Sequence, residues 1–245
     1  MRFTIISGVI FAVLSFFILG QKTDIYSAIM FSTYFTEGRG DFHFIYFIIP
    51  IMVICAPMLS NSKNENAIEQ YYVLTRYKNK TIWYINYIKK LVLQSFISSF
   101  CYLFIIELIS IILNFQKFDL TLFLFCMTLY ILTFLYISVV IIFLKTLSFF
   151  GNTRISIFAY IILTGIFSYF PYNYSEFVIL INPLNHYFID THMEAPILIE
   201  NNLAVLDSEL LTIPFSIIYF ILVALLEISL GILAIKKHNM INRSK

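Results

Sequence analysis

Six long runs of apolar residues alternate with short polar segments along this chain. The runs cover residues 3–20, 42–59, 91–115, 120–144, 155–170 and 210–235. An α-helix needs about 20 residues to cross the hydrocarbon core of a bilayer, and most of the runs approach or exceed that length. The pattern predicts an all-α membrane protein whose six transmembrane helices form a single transmembrane domain over residues 1–245.

The positions of the basic residues predict how these helices are oriented. If the N-terminus is cytoplasmic, all of the 16 Lys and Arg residues except Lys22, Arg39 and Lys117 fall in segments that stay inside. Most of the 14 acidic residues then lie outside. Because loops retained in the cytoplasm are enriched in Lys and Arg, we expect both termini to be cytoplasmic.

The composition agrees with a membrane protein and argues against other functional classes. The chain is 60% apolar, 18% aromatic and 12% charged, which is typical of a protein whose solvent is mostly lipid. Six spans leave no room for a catalytic domain, so we expect no enzymatic activity. The net charge of +2 gives no reason to expect a nucleic-acid partner. Cys55, Cys101 and Cys126 fall within the apolar runs, where a thiol behaves as a small buried group, and no metal or disulfide is predicted.

The longest inner segment, residues 60–90, carries the clearest local pattern. Ser62 and Glu65 fit a capping box, which predicts a helix start. Apolar residues then recur at helical spacing, and basic residues follow. This predicts a short amphipathic helix on the cytoplasmic face of the membrane.

The outer segment between the last two runs is unusually apolar. Residues 177–181 read Phe-Val-Ile-Leu-Ile, and Asn182 and Pro183 follow directly. This stretch is too apolar for a free loop and too short to span. We therefore expect a re-entrant or interfacial outer piece before the last transmembrane helix.

Two carboxylates inside the spans, Glu107 and Glu227, are candidates for a transport or gating role because burying a carboxylate in a membrane is costly. A structural hydrogen bond between helices is the alternative for Glu227, and Glu107 lies near enough to the outer end of its span to reach the interface. His186, His192 and Glu194 could bind a metal, but their spacing favours solvated loop residues.

Three common catalytic patterns are absent from the sequence. There is no G-x-x-x-x-G-K-[ST] phosphate loop, so we expect that this chain does not itself use ATP. There is also no H-E-x-x-H and no G-x-S-x-G, which disfavours a zinc protease or a serine-type hydrolase.

The whole pattern resembles the membrane subunits of type 2 ABC exporters. The resemblance rests on the six spans, on the inner segment Glu-Gln-Tyr-Tyr-Val-Leu-Thr-Arg-Tyr-Lys-Asn-Lys at residues 69–80, and on Asn182 and Pro183. In that family such an inner segment is the coupling helix that docks on the ATPase, and an Asn-Pro pair lies in the outer re-entrant hairpin. The chain is most similar to compact permeases of Gram-positive peptide or bacteriocin exporters and immunity systems.

The resemblance implies a non-catalytic permease subunit in the bacterial plasma membrane, exporting an amphipathic peptide or a lipid-like molecule. Its partners would be two copies of a cytoplasmic ABC ATPase, a second permease half (itself or a sister subunit) and membrane lipids. No cofactor is implied in this chain, because ATP and Mg²⁺ would bind the ATPase. The implied ATPase-coupling residues are Glu65, Glu69, Tyr71, Tyr72, Leu74, Arg76 and Lys78. The implied residues of the translocation path or gate are Glu107, Glu227, Asn182 and Pro183.

Two alternatives remain open at this point. One is a stand-alone intramembrane enzyme, and the other is a bacteriocin-immunity membrane protein that works without an ATPase.

Overall fold

The structure, a computed structural model, describes residues 79–114, 120–149, 153–169, 176–187, 192 and 211–243, together with a few single positions before residue 59. All regular structure in these ranges is helical. The helices are α1 (Lys80–Asn114), α2 (Leu120–Ser148), α3 (Thr153–Tyr169), α4 (Glu176–Ile181), α5 (Pro183–Tyr187) and α6 (Ile213–Arg243).

Three of these helices are long and apolar enough to cross a membrane. The spanning segments are Lys80–Ile112, Leu120–Ser148 and Ile213–Lys236, and they coincide with the third, fourth and sixth apolar runs. Helix α3 is apolar but has only 17 residues. The protein is therefore a helical transmembrane protein. The runs at 3–20 and 42–59 lie almost entirely outside the described residues, so the count of six spans stays a prediction.

Helix α1 begins at Lys80, well before the apolar run that starts at residue 91. The side-chain oxygen of Asn79 accepts a hydrogen bond from the backbone N–H of Ile82 at 3.3 Å. This is the bond that an N-cap residue makes to the third helical position. Asn79 thus fixes the helix start, and the aromatic residues after it continue the helix into the membrane span.

Helix α2 is the central element, because it packs against α1, α3 and α6. Ser138 on α2 is hydrogen-bonded to Ser95 on α1 at 2.8 Å, and both side chains are buried. Ser99, one turn further along α1, is also buried and bonds to the backbone oxygen of Ser95. Small hydroxyl residues let two apolar helices approach closely and satisfy their polar atoms in lipid.

Helices α1 and α3 run antiparallel to α2. Helix α6 runs parallel to it, because Thr146, further along α2 than Tyr136, contacts Glu227, which is further along α6 than Phe220. Tyr84 near the start of α1 contacts Thr146 near the end of α2, and Tyr136 of α2 contacts both Tyr160 of α3 and Phe220 of α6. The start of α1, the end of α2, the start of α3 and the end of α6 therefore meet at one end of the bundle. We call this the basic end, since it carries Lys80, Lys145, Arg154 and Lys236.

The short helices α4 and α5 lie at the opposite end of the bundle. There Asn182 contacts the backbone of Phe167 near the end of α3, and His186 contacts Ser216 near the start of α6. The outward faces of the long helices carry exposed aliphatic side chains, as expected for surfaces that face lipid. On α6 they are Ile218, Ile221, Leu222, Leu225, Leu226, Leu230 and Leu233.

Candidate functional site

A cavity of about 240 Å³, open to the surface of the bundle, lies between α2, α3 and α6, and the junction of α4 and α5 lines it at one end. Its walls are mostly aliphatic and aromatic, and among the described residues that line it Glu227 is the one Asp, Glu, Lys, Arg or His. The lining residues are Tyr136, Val139, Val140, Phe143, Tyr160, Leu163, Thr164, Phe167, Ile181, Pro183, Leu184, Tyr219, Val223 and Glu227.

Glu227 projects from α6 on the same face as Tyr219 and Val223, because residues four apart lie one above the other on a helix. It is nine residues from Lys236, or about 14 Å along the helix axis, which places it near the middle of the span. Its side chain is only 7% exposed. The Oε2 atom is buried and has no hydrogen-bond partner among the described residues. The structure thus places a deeply buried carboxylate at the wall of a cavity.

The hydroxyl groups around the cavity are hydrogen-bonded to other protein groups. The phenols of Tyr136 and Tyr160 lie 3.1 Å apart, and Thr164 donates to the backbone oxygen of Tyr160 at 2.8 Å. Tyr219 donates to the backbone oxygen of Ile181 at 2.6 Å, which joins α6 to the end of α4. Among the lining side chains, Glu227 is therefore the polar group with an unsatisfied atom.

The junction of α4 and α5 is built on Asn182 and Pro183. The side-chain oxygen of Asn182 accepts a hydrogen bond from Leu184 N–H at 3.0 Å, and its amide donates to the backbone oxygen of Phe167 at 2.8 Å. Asn182 is thus the N-cap of α5, and Pro183 occupies the first helical position, which suits proline because no backbone donor is needed there. The predicted pair is a helix start that is tied to the end of α3.

A chain of hydrogen bonds fixes α5 to α6. Nε2 of His186 lies 2.7 Å from the backbone oxygen of Leu180, and its Nδ1 lies 2.8 Å from Oγ of Ser216. Nε2 of His192 contacts the same Ser216 oxygen at 2.8 Å. Since a carbonyl only accepts, Nε2 of neutral His186 carries the proton and Nδ1 accepts from the serine hydroxyl. All three side chains are completely buried. The expectation that the two histidines are solvated loop residues is therefore wrong.

Burial lowers the pKa of His186 from its ordinary value of 6.5 to about 4, and the hydrogen bond to the Leu180 carbonyl partly opposes that shift. The imidazole also stacks on the ring of Tyr219, with the ring centroids 3.9 Å apart. Neutral His186 is the form that fits this packing, because a charged ring would lose its hydration without gaining an anionic partner among the groups it contacts.

Ser216 and His186 have the spacing of a nucleophile and its base, but they are not placed for catalysis on a substrate. Ser216, His186 and His192 are completely buried, and none of them lines the cavity. Their hydrogen bonds instead hold the short helix α5 against the start of α6.

Glu107, the other predicted intramembrane carboxylate, belongs to a different site. It lies on α1 beside the Cys126 thiol of α2 and lines a groove of about 410 Å³ between these two helices. Phe100 and Phe104, which line the same groove, are about half exposed. The structure thus brings Glu227 and Pro183 to one cavity, places Asn182 next to it, and keeps Glu107 apart.

Several predicted residues lie outside the described part of the chain. They are Glu65, Glu69, Tyr71, Tyr72, Leu74, Arg76, Lys78 and Glu194. Within the described ranges, no group of three or more His, Cys, Asp and Glu side chains could hold a metal ion.

The sequence interpretation missed the tyrosines of the cavity, because aromatic residues in a membrane protein usually pack in the interior or sit at the interface. A signal was present in α6. Ser216, Phe220, Glu227 and Gly231 follow one another at spacings of four, seven and four residues, and all are buried. Polar and small residues on one stripe of an aliphatic helix indicate the face that packs on protein.

The chain matches no protein-family model, no curated protein and no solved structure. The features that bear on its function are therefore the helical membrane bundle, the cavity beside Glu227 and the residues that surround that cavity.

Proposed function

We propose that this protein is the permease subunit of an ATP-driven ABC exporter in the bacterial plasma membrane. In this proposal the chain has six spans with both termini in the cytoplasm. It pairs with a second permease half, either itself or a sister subunit, and with two copies of a cytoplasmic ABC ATPase that binds ATP and Mg²⁺. Its cargo is an amphipathic peptide or a lipid-like molecule.

The observation that carries the proposal is the position of α4 and α5. They lie between α3 and the last spanning helix, at the end of the bundle away from the basic residues, and their junction lines the cavity beside Glu227. Asn182 and Pro183 form that junction. A permease of a type 2 ABC exporter would use such an arrangement to close its translocation path on the outer side of the membrane.

The start of α1 supplies the second support. Helix α1 begins at Lys80, directly after the segment proposed to couple to the ATPase. Four residues along, the Tyr84 hydroxyl lies 3.1 Å from Oγ1 of Thr146, and Thr146 in turn donates to the backbone oxygen of Glu227 at 3.3 Å. A push on the coupling segment during ATP-driven closure would therefore reach α2 and α6 through contacts between packed helices.

A triple substitution in the proposed coupling segment tests this function. Changing Tyr71 and Tyr72 to Ala removes two large amphipathic anchors, which at interfaces can each cost roughly 2 kcal/mol. Arg76→Glu reverses a charge at the same seam. The triple variant should insert normally, lose the ATPase subunit in pull-downs, and lose cargo-stimulated ATP hydrolysis.

A matched triple variant on the predicted outer side serves as the control. It combines Tyr172→Ala, Tyr174→Ala and Lys117→Glu, and it should keep both the ATPase and the stimulated hydrolysis. A coupling variant that inserts and retains full ATPase capture would overturn the exporter proposal. Protection of cells against a peptide in the absence of any ATPase would favour the immunity protein instead.

A further inference from the structure

We infer that the cavity beside Glu227 binds an organic cation, namely a primary ammonium group on a compact apolar body, with the Glu227 carboxylate as its counter-ion. That this cation is exported cargo rests on the proposed exporter function. That it binds in the cavity is a property of the purified chain alone.

The charge balance of the cavity is the first argument. A buried carboxylate is costly unless a cation or several hydrogen bonds compensate it, and Oε2 of Glu227 has no hydrogen-bond partner among the described residues. None of the described residues that line the cavity is a Lys, Arg or His. The nearby Lys145 lies over the ring of Tyr87, at 5.6 Å from its centroid, and does not line the cavity. An organic cation bound in the cavity would supply the charge that the described lining residues do not.

The shape and lining of the cavity give the second argument. A cavity of roughly 150 Å³ holds a benzene molecule, so a cavity of about 240 Å³ has room for one aromatic ring with a short alkylammonium chain. Val139, Val140 and Val223 supply an aliphatic wall, and Tyr136 and Tyr219 add aromatic surface. An apolar wall with one polar group that fixes orientation is typical of a small-molecule site.

The route into the cavity favours an amphipathic ligand. Leu163 and Ile181 line the cavity and are also about two-fifths exposed, at 38% and 44%. The cavity is thus reached from the outer surface of the bundle, beside α3 and the end of α4. A molecule that partitions into the bilayer through its apolar part can enter there without crossing the helix bundle.

The test uses equilibrium dialysis to measure the binding of radiolabelled 2-phenylethylamine to the full chain in lipid nanodiscs. This amine is an ammonium ion at pH 7.5. Its neutral counterpart 2-phenylethanol has nearly the same shape, and empty nanodiscs give the partition background. The wild-type protein should bind the amine at least tenfold more tightly than the alcohol. Glu227→Gln keeps the side-chain volume and should abolish that preference.

Two further variants keep the result interpretable. Val223→Phe fills the cavity from the same helix and should weaken binding of both probes. Ser229→Ala changes an exposed side chain of that helix that does not line the cavity, and it should leave binding unchanged. Equal binding of amine and alcohol by the wild type would overturn the inference, and so would wild-type amine affinity in both Glu227→Gln and Val223→Phe. A chain that binds the amine but captures no ATPase would refute the exporter proposal and leave this inference standing.

Discussion

The ring of Tyr84 in α1 lies directly over Gly231 in α6, so that a Cβ atom at residue 231 would overlap the Tyr84 phenol. Tyr84 is completely buried and its hydroxyl is hydrogen-bonded to Thr146, which leaves the ring little freedom to move aside. Gly231 is therefore needed for the close approach of α1 and α6 at the basic end.

We expect Gly231→Ala to destabilise the protein by roughly 1–3 kcal/mol, the usual cost of overpacking a well-packed core. Thermal unfolding in detergent measures this loss. Tyr84→Phe removes the atom nearest to the added methyl group, so the double variant should be less destabilised than the sum of the two single changes. Additive effects would contradict direct contact between the two positions.

The serine pair between α1 and α2 gives a second prediction. Ser138→Ala removes the buried hydrogen bond to Ser95, and in membrane proteins such bonds contribute about 0.6 kcal/mol on average. Ser229→Ala is a suitable control, because Ser229 is exposed and donates to the backbone oxygen of Leu225 in its own helix. Chemical unfolding in mixed micelles should show a loss for Ser138→Ala and almost none for Ser229→Ala.

The orientation of the chain can be tested by labelling with an impermeant thiol reagent. Single cysteines at Lys63 and Glu200, in a variant that lacks Cys55, Cys101 and Cys126, should react from opposite sides of the membrane. The basis is the positive-inside distribution of Lys and Arg. Reaction of both cysteines from outside intact cells would contradict the six-span topology.

Much of the helical framework could be predicted from the sequence, because each spanning helix appears as a long apolar run. The position of the cavity could not, since it depends on which faces of α2, α3 and α6 meet. Tyr136, Tyr160 and Tyr219 look like ordinary interface aromatics until the fold brings them together. Glu227 could be predicted as important because its charge is costly in lipid, whereas the absence of a partner for its Oε2 atom is a property of the packed structure.

For the two histidines, the prediction from the sequence was wrong. His186 and His192 occur in a segment with many polar residues, and such residues are usually solvated. Their burial follows from the tertiary packing of α5 on α6, where Ser216 lies between the two imidazoles. A single serine on a helix gives no sequence signal of this kind.

The N-cap of α5 gives a fourth prediction. Asn182→Ala removes both the acceptor for Leu184 N–H and the donor to the Phe167 oxygen, so we expect a loss of roughly 1–3 kcal/mol. Asn182→Ser keeps a side-chain oxygen that can cap the helix and loses the amide donor, and it should cost less than the alanine change. Amide hydrogen exchange at residues 184–187 measures the effect locally. If both variants exchanged at the wild-type rate, the cap would contribute little to the stability of α5.

The last prediction concerns pH and follows from the lowered pKa of His186. Burial lowers this pKa from 6.5 to about 4, so between these values the unfolded chain binds a proton that the folded chain does not. His186 therefore stabilises the fold fully above about pH 6.5, and this contribution is lost as the pH falls towards 4. A shift of this size corresponds to roughly 3 kcal/mol. The neutral groups around the ring, Ser216 and Tyr219, supply no anion that would stabilise the charged form.

Unfolding free energies measured from pH 7.5 to 4.5 test this assignment. Wild-type stability should fall across the range more steeply than that of His186→Gln, whose side chain cannot titrate but can still donate to the Leu180 oxygen. The difference between the two proteins isolates His186 from the carboxylates, which also titrate at the acid end. His238→Gln removes a histidine near the end of α6, away from this hydrogen-bonded chain, and should retain the wild-type slope. Identical slopes for wild type and His186→Gln would mean that protonation of His186 does not destabilise the packing of α5 on α6.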